Sequence, residues 1–462
     1  MSFCFATGGF CLRLLLIFLA LAWFILQQPV VAQVTGDLES QAARGLRLLR
    51  TQPYGTADLQ VAQFDQLWRY WPEELRREAQ KATAVQRRKM SFDRYGFVAD
   101  PQNPDGPPLG VVDDQQGGWV MNCLSCHQGT VDGNVVWGAG NTHFAFQTLV
   151  DDVLLLLKDT GQPGNPILRL LKLGTTNGTT NAQVFSILLS SLRDRDLNPV
   201  LLPKLIKYQN HDLDAPPLWN VKYKKNLYID GYVPKNHRII MQFTLVPSND
   251  GNEIKLREDG FRDVLAWIES LVAPSFPHSI DQQLAEIGET VFKKACADCH
   301  GTYGTDAFYP EVRIPLKEIG TDPVRLIGMP PAHRRFMQES WFGNYGDLNV
   351  VEEPDGYVAP PLNGVWASPP YLHNGSVPTL WHLMNPTQRP TVWTRKADSY
   401  DWQRVGLDIE QLNGIPQEVQ STAEKRRYFD TSLSGKSAAG HNFPDELSTD
   451  EKQAVIEYLK TL

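Results

Sequence analysis

Apolar positions at helical spacing frame the second half of this chain. In 261–272, Val264, Leu265, Ile268 and Leu271 fall at i, i+1, i+4 and i+7, which predicts a helix ended by the segment from Ala273 to Pro277. A second helix is predicted over 281–294, with Leu284, Ile287 and Val291 on its buried face. Gly288 lies between them, placed to let another helix cross closely. The third runs through 447–462. Ser448 and Glu451 have the spacing of a capping box, and Val455, Tyr458, Leu459 and Leu462 form its apolar stripe. Stretches rich in Pro, Gly, Asn and Asp at 100–108, 175–181 and 385–390 read as loops, and strand signals are few and short. The pattern predicts a mainly α protein with long loops.

Residues 1–32 have the plan of a secretory signal peptide. Arg13 precedes a thirteen-residue apolar run, Leu14 to Leu26, and Val30-Val31-Ala32 offers small residues before a cut. The run is short for a membrane span, so an uncleaved N-terminal anchor is the lesser reading. The expected location is the periplasm or another exported compartment, with no stable membrane insertion of the mature chain. About 430 remaining residues suit more than one domain. The divisions expected are 1–32 signal peptide, 33–275 N-terminal module and 276–462 C-terminal module. The formal net charge is −8, and a mildly acidic exported chain is a poor nucleic-acid binder. Such a charge is compatible with steering toward a basic redox protein.

Cysteine usage adds the chemistry. Six cysteines occur in 462 residues, and two of them, Cys4 and Cys11, lie in the leader. The other four form Cys123-Leu-Ser-Cys126-His127 and Cys296-Ala-Asp-Cys299-His300. C-x-x-C-H is the attachment spacing for c-type haem. Two thiols three positions apart reach one edge of the ring, and the adjacent histidine gives its imidazole to the iron. A zinc ribbon would place its two C-x-x-C pairs far closer than the 173 residues separating Cys123 from Cys296. A thioredoxin-like site needs neither the trailing histidine nor a second copy. The expectation is therefore two covalently bound haem c groups, each with its iron, in two cytochrome c-like domains. The opening helix crossed at Gly288 and the closing helix at 447–462 are the frame such a domain uses. The sequence names no calcium ligands, though calcium between the modules is compatible with it.

Further segments carry a resemblance. Gly356 to Leu380, with its stretch Tyr371-Leu-His-Asn-Gly-Ser-Val-Pro-Thr-Leu380, is similar to the loop after the second haem in bacterial di-haem cytochrome c peroxidases and their relatives. Its wording is closest to the branch containing the di-haem rubber oxygenases. Tyr95-Gly-Phe-Val98 and Asn103 to Gly110 also resemble that branch. The resemblance implies that His300 is the proximal ligand of a six-coordinate electron-transfer haem. It likewise makes His127 the proximal ligand of a haem that meets peroxide or dioxygen. His441, in Ala438-Ala-Gly-His-Asn-Phe443, resembles the stretch that supplies the sixth ligand of the second haem. Met384 and Met329 are the alternatives. A small redox protein would be the electron donor or acceptor. The chain is shorter than the rubber oxygenases, so polymer cleavage does not follow.

Over the first haem, a peroxidase needs an acid–base group near the bound peroxide, whereas an oxygenase of the rubber type has an apolar pocket. His143, His237 and Met241 are available, as is the segment Asp214-Ala-Pro-Pro-Leu-Trp-Asn220. Spacing does not rank them. The contrasting reading is a pure electron carrier with both irons six-coordinate.

Overall fold

A computed structural model describes residues 39–462 apart from 58, 163–173, 181 and 201–211. The expected leader lies outside these residues. Among the described residues no helix is long and apolar enough to cross a membrane. Helix accounts for 43% and strand for 14% of the structure.

The first half carries helices α1 (Gln41–Thr51), α2 (Ala84–Tyr95), α3 (Phe146–Asp159) and α4 (Glu258–Ser270). Helix α2 begins at a capping box, Thr83 with Gln86, and stops at Gly96, whose φ of 68° is a left-handed terminus. Tyr95 on α2 donates to Asp152 on α3 at 2.9 Å, and Arg94 pairs with the same carboxylate at 2.9 Å. Helix α1 packs across α4 at Gly45, where a Cβ would overlap the Asp263 carbonyl. Arg44 and Asp263 pair at the same crossing, 3.0 Å apart. Helix α4 buries Phe261, Val264, Trp267 and Ile268 and ends at Ser270, before the Pro-containing segment predicted to stop it.

The second half carries α5 (Gln282–Ala295), α6 (Pro331–Glu339) and α7 (Thr449–Leu459). Helix α5 starts one residue later than expected because Asp281 is its N-cap, accepting from the Leu284 amide. Its buried face is Ala285, Gly288 and Phe292, while Ile287 is 56% exposed. The face rotates by one position from the sequence expectation because the neighbour is α7 at very short range. A Cβ on Gly288 would overlap the Ala454 carbonyl, so small residues, not the largest apolar ones, decide which side faces inward. Helix α7 has the predicted capping box and buries Val455, Tyr458 and Leu459.

Strands are more numerous than expected: among the described residues there are four short two-stranded antiparallel pairs and one larger sheet. Strands β1 (Val392–Asp401), β2 (Gly406–Leu412) and β3 (Tyr428–Asp430) form an antiparallel sheet in the order β2-β1-β3. Trp393 on β1 stacks on Phe429 of β3 with ring centres 5.2 Å apart. The alternation Leu407, Ile409 was the available signal, and the adjoining polar loops masked it.

Residues 41–462 pack as one compact unit. Many ties cross the position 275, among them buried ion pairs. Asp230, fully buried, meets Arg325 at 3.3 Å and Arg334 at 2.9 Å. Arg426, just before β3, reaches Asp151 on α3 at 2.7 Å. Arg395 on β1 donates to the Thr142 hydroxyl at 2.6 Å.

Candidate haem attachment sites

Each C-x-x-C-H motif is folded as one tight helical turn, and the two turns match. In both, the amide of the second cysteine donates to the carbonyl of the first at 3.2 Å, and the histidine amide donates to the same carbonyl at 3.0 Å. This turn puts both thiols on one side and lets the histidine project past them. All four cysteines are free thiols. Burial pushes Cys123 and Cys126 up to about 12 and Cys296 up to about 11. Burial therefore keeps these three thiols protonated at pH 7 in this state.

The histidines are oriented in the same way. His127 Nδ1 lies 3.0 Å from the Pro216 carbonyl, and His300 Nδ1 lies 2.9 Å from the Pro360 carbonyl. A carbonyl can only accept, so Nδ1 carries the proton in each ring and Nε2 is left as the electron-pair donor. Burial lowers His127 to about 4 and lowers His300 as well, so both rings are neutral at pH 7, as iron ligation requires.

Sequence reasoning missed these two carbonyls, yet a signal for them is present. Ala215-Pro216-Pro217-Leu218 and Ala359-Pro360-Pro361-Leu362 are the same tetrapeptide, and in each the first proline serves the histidine. The copies also bond to each other. The Trp219 indole donates to the Asn363 carbonyl at 2.7 Å, and the Asn220 amide donates to the Pro361 carbonyl at 3.0 Å. Trp219 is completely buried. A continuous chain of covalent and hydrogen bonds thus joins the two histidines, from His127 through Pro216, Trp219 and Asn220 to Pro361, Pro360 and His300.

His441 comes to the second site from far along the chain. Its ring centre is 6.2 Å from that of His300. Two imidazoles binding one metal from opposite sides need about 6 Å, from two bonds of roughly 2 Å and about 1.1 Å from each nitrogen to its ring centre. The backbone at His441 is left-handed, with φ of 50°. Such strain at a non-glycine residue persists only where neighbours hold it. The His441 amide donates to the Ile319 carbonyl at 2.7 Å, and Arg389 donates to the carbonyls of Ala438 and Gly440 at 2.6 and 2.7 Å. Burial, with the Arg389 charge and the neighbouring His300 adding to it, lowers His441 to about 3.

The remaining candidates have packing or partners of their own. Met384 and Met329 are 5% and 1% exposed and packed in apolar clusters. Met241 is likewise core. His237 Nε2 is 2.8 Å from Glu258, and His143 Nε2 is 2.9 Å from Arg395, so each has a ring nitrogen engaged. His373 braces the loop after the second motif: its ring lies on Tyr357 with centres 4.4 Å apart, and its carbonyl accepts from the Asp214 amide at 2.9 Å. No ring faces His127 among the described residues as His441 faces His300. Among the described residues no group of three or more His, Cys, Asp or Glu side chains is arranged to hold a bare metal ion.

Residues 356–394 match the RoxA-like, cytochrome c-like domain family. The segment contains Pro360 and the loop braced by His373. Over 54% of its length the chain is 28% identical to the uncharacterized protein y4iM of Sinorhizobium fredii, strain NBRC 101917 / NGR234. It is 29% identical to y4iJ of the same strain over 40% of its length. The chain spans 64% and 39% of these two relatives. The domain match supports the rubber-oxygenase-like branch of cytochromes. It suggests a haem cytochrome of the oxidoreductase kind and implies covalently bound haem c.

Proposed function

We propose that this is an exported di-haem c-type oxidoreductase, one haem in each of the modules 33–275 and 276–462. In this reading Cys123 and Cys126 attach the first haem and His127 ligates it. Cys296 and Cys299 attach the second, ligated by His300 and His441. Haem c supplies one-electron redox chemistry at each site. His441 would hold the second haem together with His300 and suit it to handling electrons, while the first haem, held by His127 alone, would be the one to meet peroxide or dioxygen. The observation that carries this assignment is the 6.2 Å separation of His300 and His441, with no counterpart opposite His127 among the described residues. The hydrogen-bonded pair of Ala-Pro-Pro-Leu segments offers the route by which electrons pass between the sites. The Pro216 and Pro360 carbonyls hold both rings in one tautomer, so neither histidine reorganises when charge arrives. A small redox protein is the proposed electron partner.

The test is electron paramagnetic resonance of the purified holoprotein, as isolated and half-reduced, after haem staining has counted the covalent haems. A low-spin signal beside a high-spin one is expected, followed by reaction with peroxide or dioxygen. Two low-spin signals that persist on half-reduction would replace the enzyme reading with that of an electron carrier.

A further inference from the structure

The two attachment sites share the Ala-Pro-Pro-Leu segment but anchor it differently. Neither proline has an amide hydrogen, so the leucine is the first residue after the histidine-binding carbonyl that can tie the segment down by its N–H. At the first site the Leu218 amide donates to the Gly138 carbonyl at 2.8 Å. That acceptor is backbone, just past the antiparallel strand pair Gln128–Val131 and Asn134–Trp137. At the second site the Leu362 amide donates instead to a side chain, the Tyr303 hydroxyl, at 2.8 Å.

A hydroxyl can accept and donate at once. The Tyr303 hydroxyl donates to the His300 carbonyl at 2.9 Å. The His300 ring donates from Nδ1 to the Pro360 carbonyl at 2.9 Å, and Pro360 stands two residues before Leu362. These three hydrogen bonds close a loop that leaves His300 by its side chain and returns to its backbone. Both arms of the loop are fixed from outside. The Tyr303 ring meets Phe292 of α5 edge-on with centres 6.0 Å apart, and Phe292 packs on Tyr458 of α7 at 5.3 Å. Ahead of Pro360, the Ala359 amide donates to the Val312 carbonyl at 3.0 Å, and the Ala359 carbonyl accepts from the Tyr309 hydroxyl at 2.6 Å.

An imidazole that donates from Nδ1 to a firmly held carbonyl is a more basic ligand through Nε2. A more basic ligand favours the oxidised iron. Resting on the two-haem reading, we propose that Tyr303 is a positioning residue for the second haem. It fixes the Pro360 carbonyl against the His300 ring, strengthens His300 as a ligand and lowers that haem's reduction potential. The effect belongs to the second haem alone, because at the first site the leucine amide ends on a backbone carbonyl that no side-chain substitution removes.

The experiment is a potentiometric titration of the holoprotein followed by optical and paramagnetic resonance spectra, comparing wild type with Tyr303→Phe and Tyr309→Phe. Tyr303→Phe keeps the ring against Phe292 and removes the hydroxyl that closes the loop of bonds. It is expected to raise the reduced-to-oxidised ratio of the second haem about threefold at fixed potential, about 28 mV for a one-electron couple. The low-spin g values of that haem should move with it, and the first haem should stay unmoved. Tyr309→Phe removes a hydroxyl bonded to the same segment at Ala359 rather than to His300, and should leave both haems as in wild type. An unchanged second haem in Tyr303→Phe, equal shifts in the two variants, an equal shift in the first haem, or loss of covalent haem from Tyr303→Phe would each overturn the assignment. Fewer than two covalent haems in the wild type would remove the underlying reading as well, whereas two haems with unmoved potentials would remove this proposal alone.

Discussion

The two C-x-x-C-H sites are built alike on one side and differently on the other. Each motif is the same helical turn, and each histidine leans on the first proline of the same tetrapeptide. Each half also has a helix pair crossed at a glycine, α1 with α4 at Gly45 and α5 with α7 at Gly288. Opposite His300 stands His441, on strained backbone tied down by Ile319 and Arg389. Opposite His127 no ring stands among the described residues. The difference teaches that the attachment turn is local and repeatable, whereas what stands across from each histidine depends on how distant parts of the chain pack.

The largest break in this comparison comes from the thiols. Changing Cys123 and Cys126 together to Ala, or Cys296 and Cys299 together, is expected to remove one covalent haem in each case, halving the haem-to-protein ratio measured by pyridine haemochrome. If both double variants kept full haem content, the two-site picture would fail. Next comes His441→Ala, which should make the two sites alike on both sides. The expected result is a new high-spin iron that binds carbon monoxide when reduced, with the first haem's spectrum unaltered. A variant still six-coordinate and low-spin would move the ligand role to another residue.

A third variant addresses the seam that makes the two halves one unit. Asp230 is buried between Arg325 and Arg334. Asp230→Asn leaves two guanidinium groups in the interior without their carboxylate, a loss of about 3–5 kcal/mol read from urea unfolding. A change below about 1 kcal/mol would mean that this pair of ion contacts does not hold the halves together. The smallest effect is expected at Trp219. Trp219→Phe removes the 2.7 Å bond to Asn363, which keeps a second donor in Asn220 at 3.2 Å. Stability should fall by about 1 kcal/mol. Electron equilibration between the haems should slow while both static spectra stay the same, and an unchanged rate would exclude the indole from the route.

Much of this was legible in the chain, and the reasons are local. The spacing of two thiols and a histidine within five residues defines the attachment turn wherever it occurs. The capping box of Ser448 and Glu451, the stop after Ser270 and the crossing at Gly288 follow from short-range chemistry. The inward face of α5 was misjudged by one position because a close helix crossing rewards small residues over large ones. The sheet at 392–430 was missed because its strands pair across intervening loops.

What sequence determined alone, then, is the pair of C-x-x-C-H turns and the helices that frame the second of them, since each depends on residues within one or two turns of each other. Tertiary structure decided which carbonyl orients each histidine, because Pro216 and Pro360 lie 89 and 60 residues beyond the rings they hold. It also decided that His441 faces His300. That meeting depends on how the intervening chain packs, on the Arg389 clamp and on a left-handed backbone that no local preference would select.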